Sequence, residues 1–281
     1  MPGTGSNKLT TQFQGSGNSK CGVASRIARR GIIASLLSRR ANGIEPNSAP
    51  TPTTCIKQAV FSNYTQLVEG VKDWLNDNKE CYVEINNWKI TDVTQLDNLF
   101  NTDDSTLVPI NTFNDNIGNW DTRNVTSMTA MFKGQKEFNQ DIGSWNVRGV
   151  TDMIEIFRKA TNFNQNIGSW NVSGVTSMTL MFKDATNFNG NIGGWNVSGV
   201  KYMSGMFNQA TNFNQDIGSW NVSGVTSISG MFKDATNFKQ DLSSWNVSGV
   251  NDWSTISGGV FENSAMGSYV DNSNLWPRLS G

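Results

Sequence analysis

Asp141, Asp216 and Asp241 share one position of a 25-residue period, and stacking of successive turns would bring Asp216 beside Asp241. Two close carboxylates can share a proton or hold calcium, so a dyad or a cation site is the chemistry to test. Asn116, Asn166 and Asn191 occupy the same position. An amide neither titrates nor carries the charge such a site needs, and no further ligands converge, so the series reads as turn capping. Asn139, Asn164, Asn189 and Asn214, each following a phenylalanine, read as bend-stabilising amides. Asn171, Asn196, Asn221 and Asn246 sit in N-V-S sequons and are expected to form a side-chain ladder.

The chain of 281 residues has no histidine, which removes the commonest general base, metal ligand and pH switch together. There is no GxxxxGK[ST] loop, GxGxxG turn or GxSxG elbow. Cys21, Cys55 and Cys81 are odd in number, widely spaced and outside any CxxC pattern, so neither a disulfide framework nor a zinc site is indicated, and a reducing compartment is expected. No catalytic residue, cofactor, metal site or small-molecule substrate is therefore expected; the chain reads as non-enzymatic.

What must position these residues is a repeat. Tryptophan recurs at Trp120, Trp145, Trp170, Trp195, Trp220 and Trp245, and phenylalanine at Phe113, Phe138, Phe163, Phe188, Phe213 and Phe238, in steps of 25. A second aromatic column runs Phe132, Phe157, Phe182, Phe207 and Phe232, with aliphatic columns Ile117 to Leu242 and Val125 to Val250. Trp88, Val93, Leu96 and Phe100 repeat the spacing of Trp120, Val125, Met128 and Phe132, giving a first, diverged turn before a loop insert within 101–112. Ile142-x-x-Trp145-x-Val147 has the L-x-x-L-x-L form of a repeat strand, while Val150, Met153 and Phe157 suit a short helical or 3₁₀ return. Stacked turns would space each column by about 4.8 Å, the ordinary strand separation. The aromatic columns then read as core rather than as a binding platform.

The run F-N-Q-D-I-G-S-W-N-V-S-G-V-T-S, clearest from Phe213 and continuing to Phe232, resembles the BspA-like leucine-rich-repeat family, catalogued as a mycoplasma lipoprotein-associated repeat, over about residues 61–250. The resemblance implies a surface or assembly protein: family members include surface lipoproteins of mycoplasmas and proteins of other bacteria, protists, microalgae and large DNA viruses. It brings no catalytic residues. A lipoprotein would need a hydrophobic signal and a lipobox, whereas Cys21 follows Asn18-Ser19-Lys20. The expected fold is a right-handed, leucine-rich-repeat-like solenoid of about seven 25-residue turns, each with a short parallel β-strand and a short helical or 3₁₀ return.

Both ends should be capped. Residues 55–80 are expected to form an N-capping helix, with Leu67, Val68, Val71, Trp74 and Leu75 on one face and Asn63 with Gln66 as a capping box. The solenoid should span 81–250. After Trp245 the pattern decays, Trp253 replacing the methionine and Ser257 the phenylalanine, so 251–281 reads as a C-terminal cap and tail.

Residues 1–54 are a basic arm containing glycine, serine and four of the six prolines. Seven cations stand against Glu45, a net +6, which leaves −7 for the remainder of a chain whose net charge is −1. Arg26, Arg29, Arg30, Arg39 and Arg40 are the candidate partner-docking residues. Docking onto an acidic protein assembly is favoured; contact with nucleic acid or an anionic membrane, a transit peptide, and a solvated tail are the alternatives. Side chains that vary between turns concentrate on the return segment, as in Lys133 to Glu137, Arg158-Lys159 and Asn208-Gln209, so a face tuned for a partner should lie there. With no recognisable signal peptide, the expected function is a scaffold holding protein partners in a virion or intracellular assembly, in its specific form a minor capsid protein of a large DNA virus. A cell-surface adhesin or receptor-like protein is the alternative.

Overall fold

A computed structural model describes residues 59–76, 82–103, 112–251 and 259–266. The chain divides into two compact units, Met1–Cys55 and Ile56–Gly281, of which only the second contains described residues.

The first element of the second unit is helix α1, Tyr64–Leu75. Asn63, in extended conformation, accepts the Gln66 N–H on its side chain, and the Gln66 amide oxygen accepts the N–H of Ser62, 3.0 Å away. The reciprocal half of the expected capping box therefore reaches one residue further back than Asn63. Leu67, Gly70, Val71 and Trp74 are buried, with Val68 and Leu75 packed at the margin. Gly70 permits this packing, because a Cβ there would lie 2.5 Å from the Phe61 ring. Trp74 meets Trp88 edge to face at 5.8 Å, and its indole N–H donates to Asp115.

From Gln95 onward the chain returns to the same place once per repeat. Parallel bridges join Gln95 to Ser127, then Ser127, Asp152, Ser177, Tyr202 and Ser227 in succession. They fall on the segment V-T-S-M-x-x-M-F, not on Ile-x-x-Trp-x-Val, and among the described residues they are isolated bridges rather than extended strands. The reason is local turn chemistry. The N–H of Gly143 donates to Asp141 Oδ1 and that of Ser173 to Asn171 Oδ1, while Trp145 N–H closes on Ile142 O and Val150 N–H on Val147 O. Donors that a strand would offer to its neighbour are thus consumed in Asx and β-turns.

In the ladder segment, alternate N–H groups do different work. Those of Met128, Ala130, Phe132 and Gly134 donate to Asp152, Ile154, Ile156 and Arg158 of the next turn, whereas those of Met131, Lys133 and Gln135 close turns onto Met128, Ala130 and Phe132. Cross-turn pairing and the tight turns of the return therefore occupy one stretch of chain. Closing the turns requires left-handed backbone at Asn98, Ala130, Glu155, Leu180, Gly205 and Gly230, and again at Gly134, Lys159, Asp184, Gln209, Asp234 and Asn263. Left-handed backbone disfavours a non-glycine residue by roughly 1–2 kcal/mol, so glycine at Gly205 and Gly230 is the easiest occupant.

The interior is made of aromatic columns. Successive tryptophans stack with centroids 6.3 Å apart at Trp120–Trp145 and 6.4 Å at Trp220–Trp245. Phe132 and Phe157 lie 5.7 Å apart, while Phe132 and Phe138 of one turn lie at 3.9 Å. The spacing along the columns exceeds the expected strand separation and lies within the range of offset ring stacking.

At the far end, the Phe column does not stop at Phe232. Phe261 stacks on it at 5.5 Å with rings 1° from parallel, and Phe232 and Asp234 N–H donate to Val260 and Glu262. The last interval is 29 residues, so the phenylalanine position belongs to Phe261 rather than Ser257. A four-residue insertion hides this from a strict 25-residue register. Val260, Phe261 and Met266 are buried, closing the column with apolar side chains.

Candidate interaction surface

Most repeated polar groups hold turns together or close them. Asp141, Asp216 and Asp241 each cap a turn, taking the N–H of Gly143, Gly218 and Ser243 at 2.8–2.9 Å. Asn139 accepts the Asn164 N–H, Asn164 that of Asn189, and Asn189 that of Asn214, so these amides link adjacent turns as well as stabilising the bend. The asparagines of the N-V-S segments do not form the expected ladder. Each turns its oxygen to the serine two residues on, as Asn171 does to Ser173 N–H and Oγ–H. A side-chain ladder exists elsewhere, where Asn187, Asn212 and Asn237 donate in turn to Asn162, Asn187 and Asn212 at 3.3 Å.

Gln135 holds the loop insert in place, a role its variable surroundings in the sequence do not announce. Buried where later turns carry Ala160, Ala185, Ala210 and Ala235, its amide donates to Phe100 O at 2.6 Å and accepts the Phe113 N–H at 3.0 Å. It bridges the two ends of the insert, supplying the partners that backbone provides elsewhere. The signal was present as a glutamine at the position that the next four turns fill with alanine.

The ladder face carries the side chains that differ between turns. Lys133 Nζ lies 2.7 Å from Glu155, which also pairs with Arg158; Asp103 stands 3.7 Å from Lys133 and 3.8 Å from Lys159. Burial pushes the Glu155 carboxyl up, but hydrogen bonds and charge from Lys133 and Arg158 outweigh it and hold it below its ordinary range. Further along, Lys183 donates to Asn208 across turns at 2.9 Å, and Lys233 pairs with Glu262 at 2.8 Å. Tyr202, 52% exposed, stands in the bridge column whose other members are Gln95, Ser127, Asp152, Ser177 and Ser227. The candidate docking arginines Arg26, Arg29, Arg30, Arg39 and Arg40 lie outside the described residues.

Turns that repeat their interior closely and vary one outer face define a repeat-containing protein. The chain belongs to the family described as Mycoplasma protein of unknown function, DUF285, whose model matches residues 69–192 and 165–266. No curated protein and no solved structure matches it.

Proposed function

We propose that the chain is a non-enzymatic scaffold that holds protein partners in a large assembly, in its specific form a minor capsid protein of a large DNA virus. The finer kinship, to BspA-like leucine-rich repeats with a right-handed solenoid architecture, belongs to the same proposal. The observation that carries it is the division of labour between surfaces. Asn, Asp, Ser and Trp polar groups are spent on holding and closing turns, while varied side chains gather on the ladder face. Such a surface suits extended contact with another protein, as stacked repeats generally do. Arg26, Arg29, Arg30, Arg39 and Arg40 serve in this reading as a second docking element through charge.

Native complexes or virions purified and analysed by mass spectrometry should contain the chain. Recovery solely at a host-cell surface would overturn the assembly role in favour of an adhesin. A chain lacking residues 1–54 should fail to incorporate; unchanged incorporation removes the arm from the docking role.

A further inference from the structure

We infer that the middle of the ladder face is a docking site for an acidic peptide segment carrying an apolar or aromatic side chain. The inference rests on the scaffold reading and names its partner chemistry. Three neighbouring turns depart from the repeat at outward positions, each time toward a larger apolar group. Ile154 stands where other turns have Thr129, Thr179, Ser204 and Ser229; Leu180 where they have Asn98, Ala130, Glu155, Gly205 and Gly230; Tyr202 where they have Gln95, Ser127, Asp152, Ser177 and Ser227.

Other turns close without any of the three. Leu180 adopts φ 58°, a conformation that glycine fills without strain in the next two turns, and its Cδ2 occupies the space a Cβ at Gly205 would need. Asn98, Ala130 and Glu155 share this left-handed conformation, so what sets Leu180 apart is the size of its apolar side chain rather than its backbone. Tyr202 is half exposed although the same backbone elsewhere carries serine. A tyrosine presented this way is an anchor of the kind that dominates protein interfaces, and the half-buried leucine adds apolar surface beside it.

Charge identifies the occupant. Residues 151–210 carry four cations, Arg158, Lys159, Lys183 and Lys201, against Asp152, Glu155 and Asp184, a net +1, while the rest of 55–281 sums to −8. Within this stretch Glu155 is neutralised by Lys133 and Arg158, and Asp152 turns its Oδ1 to the Ile154 N–H. Lys201 directly precedes Tyr202 in the chain, while Lys159 and Lys183, which follow Ile154 and Leu180, stand 3.8 Å from Asp103 and 3.9 Å from Asp184. Carboxylates flanking an apolar side chain complement this arrangement, and a basic segment does not.

The test uses the full chain, a fluorescently labelled random copolymer of glutamate and tyrosine, and a lysine–tyrosine copolymer as the opposite-charge control. The variant replaces Leu180→Gly, Tyr202→Ser and Lys201→Thr, residues that neighbouring turns already carry, so its melting curve should remain cooperative. Wild type should bind the acidic copolymer by anisotropy, weakening with salt, and the variant should bind at least about tenfold more weakly, as expected when an aromatic anchor leaves an interface. Equal binding by the variant, no binding by wild type, or preference for the basic copolymer would overturn the proposal. So would a sedimentation profile in which wild type dimerises and the variant does not, which assigns the face to a second copy. Failure of the copolymer with the chain still recovered in an assembly removes this site and leaves the scaffold; binding by a chain found in no assembly does the reverse.

Discussion

Trp170 donates its indole N–H to the carbonyl of Ile142 in the preceding turn, 3.0 Å away, and the same bond recurs from Trp145 to Ile117 and from Trp195 to Ile167. One side chain thus fills the core and gives a second donor to a buried carbonyl that already closes its own Ile-x-x-Trp turn, Ile142 O accepting the Trp145 N–H at 3.1 Å as well. Replacing Trp170→Phe keeps an aromatic ring but removes the cross-turn donor, leaving the Ile142 carbonyl with the Trp145 N–H alone. Losing that one bond costs roughly 0.5–1.5 kcal/mol, and Trp170→Ala adds a cavity for a total nearer 3–5 kcal/mol. Urea denaturation should rank wild type above Trp170→Phe above Trp170→Ala. Equal midpoints for wild type and the phenylalanine variant would show that the indole bond contributes nothing.

Gln135 offers a second, independent test. Gln135→Ala restores the repeat's own residue yet should destabilise, because the Phe100 carbonyl and Phe113 N–H lose their shared partner. Two buried groups at roughly 1–3 kcal/mol each set the scale. Hydrogen exchange should quicken at Phe113 first. A neutral or stabilising outcome would mean that the insert re-pairs these groups by itself.

Glu155 makes the acid limb of stability predictable in sign. Its carboxyl is held below the ordinary range in the folded chain, so the native state favours the ionised form. The resulting stabilisation is present above the unfolded carboxylate range and is lost as pH falls through the folded value. Glu155→Gln should flatten that part of the stability-versus-pH curve, leaving Lys133 with Asp103 as its counter-charge and Arg158 without the Glu155 carboxylate. An acid limb unchanged by the substitution removes Glu155 as its source.

The aromatic columns were legible because tryptophan and phenylalanine keep their period through six turns, and only core stacking demands such constancy. The cross-turn ladder was not. Ile142-x-x-Trp145-x-Val147 alternates as a strand does, but Asp141 and Asn146 capture nearby N–H groups, and alternation of side chains does not report where backbone donors go. Phe261 escaped because four inserted residues break the register that made Phe232 obvious. Ile154, Leu180 and Tyr202 are visible in the sequence as departures from the repeat, but only the bridges show that their segments lie side by side in successive turns.

The left-handed columns give the last prediction, which separates fold from function within one residue type. Ala130 sits at φ 53° with its side chain buried, where later turns have Gly205 and Gly230. Ala130→Gly relieves the backbone and should stabilise by about 1 kcal/mol, less the small loss of buried methyl. Gly205→Ala should do the opposite and more, since its Cβ would meet Leu180 Cδ2 at 2.6 Å. The pair should therefore move thermal midpoints in opposite directions, and combining Gly205→Ala with Leu180→Gly should recover much of the loss by removing the clash. Additive behaviour in that double variant would show that Leu180 does not occupy the space above Gly205, and would separate the strain at Leu180 from the packing that positions it.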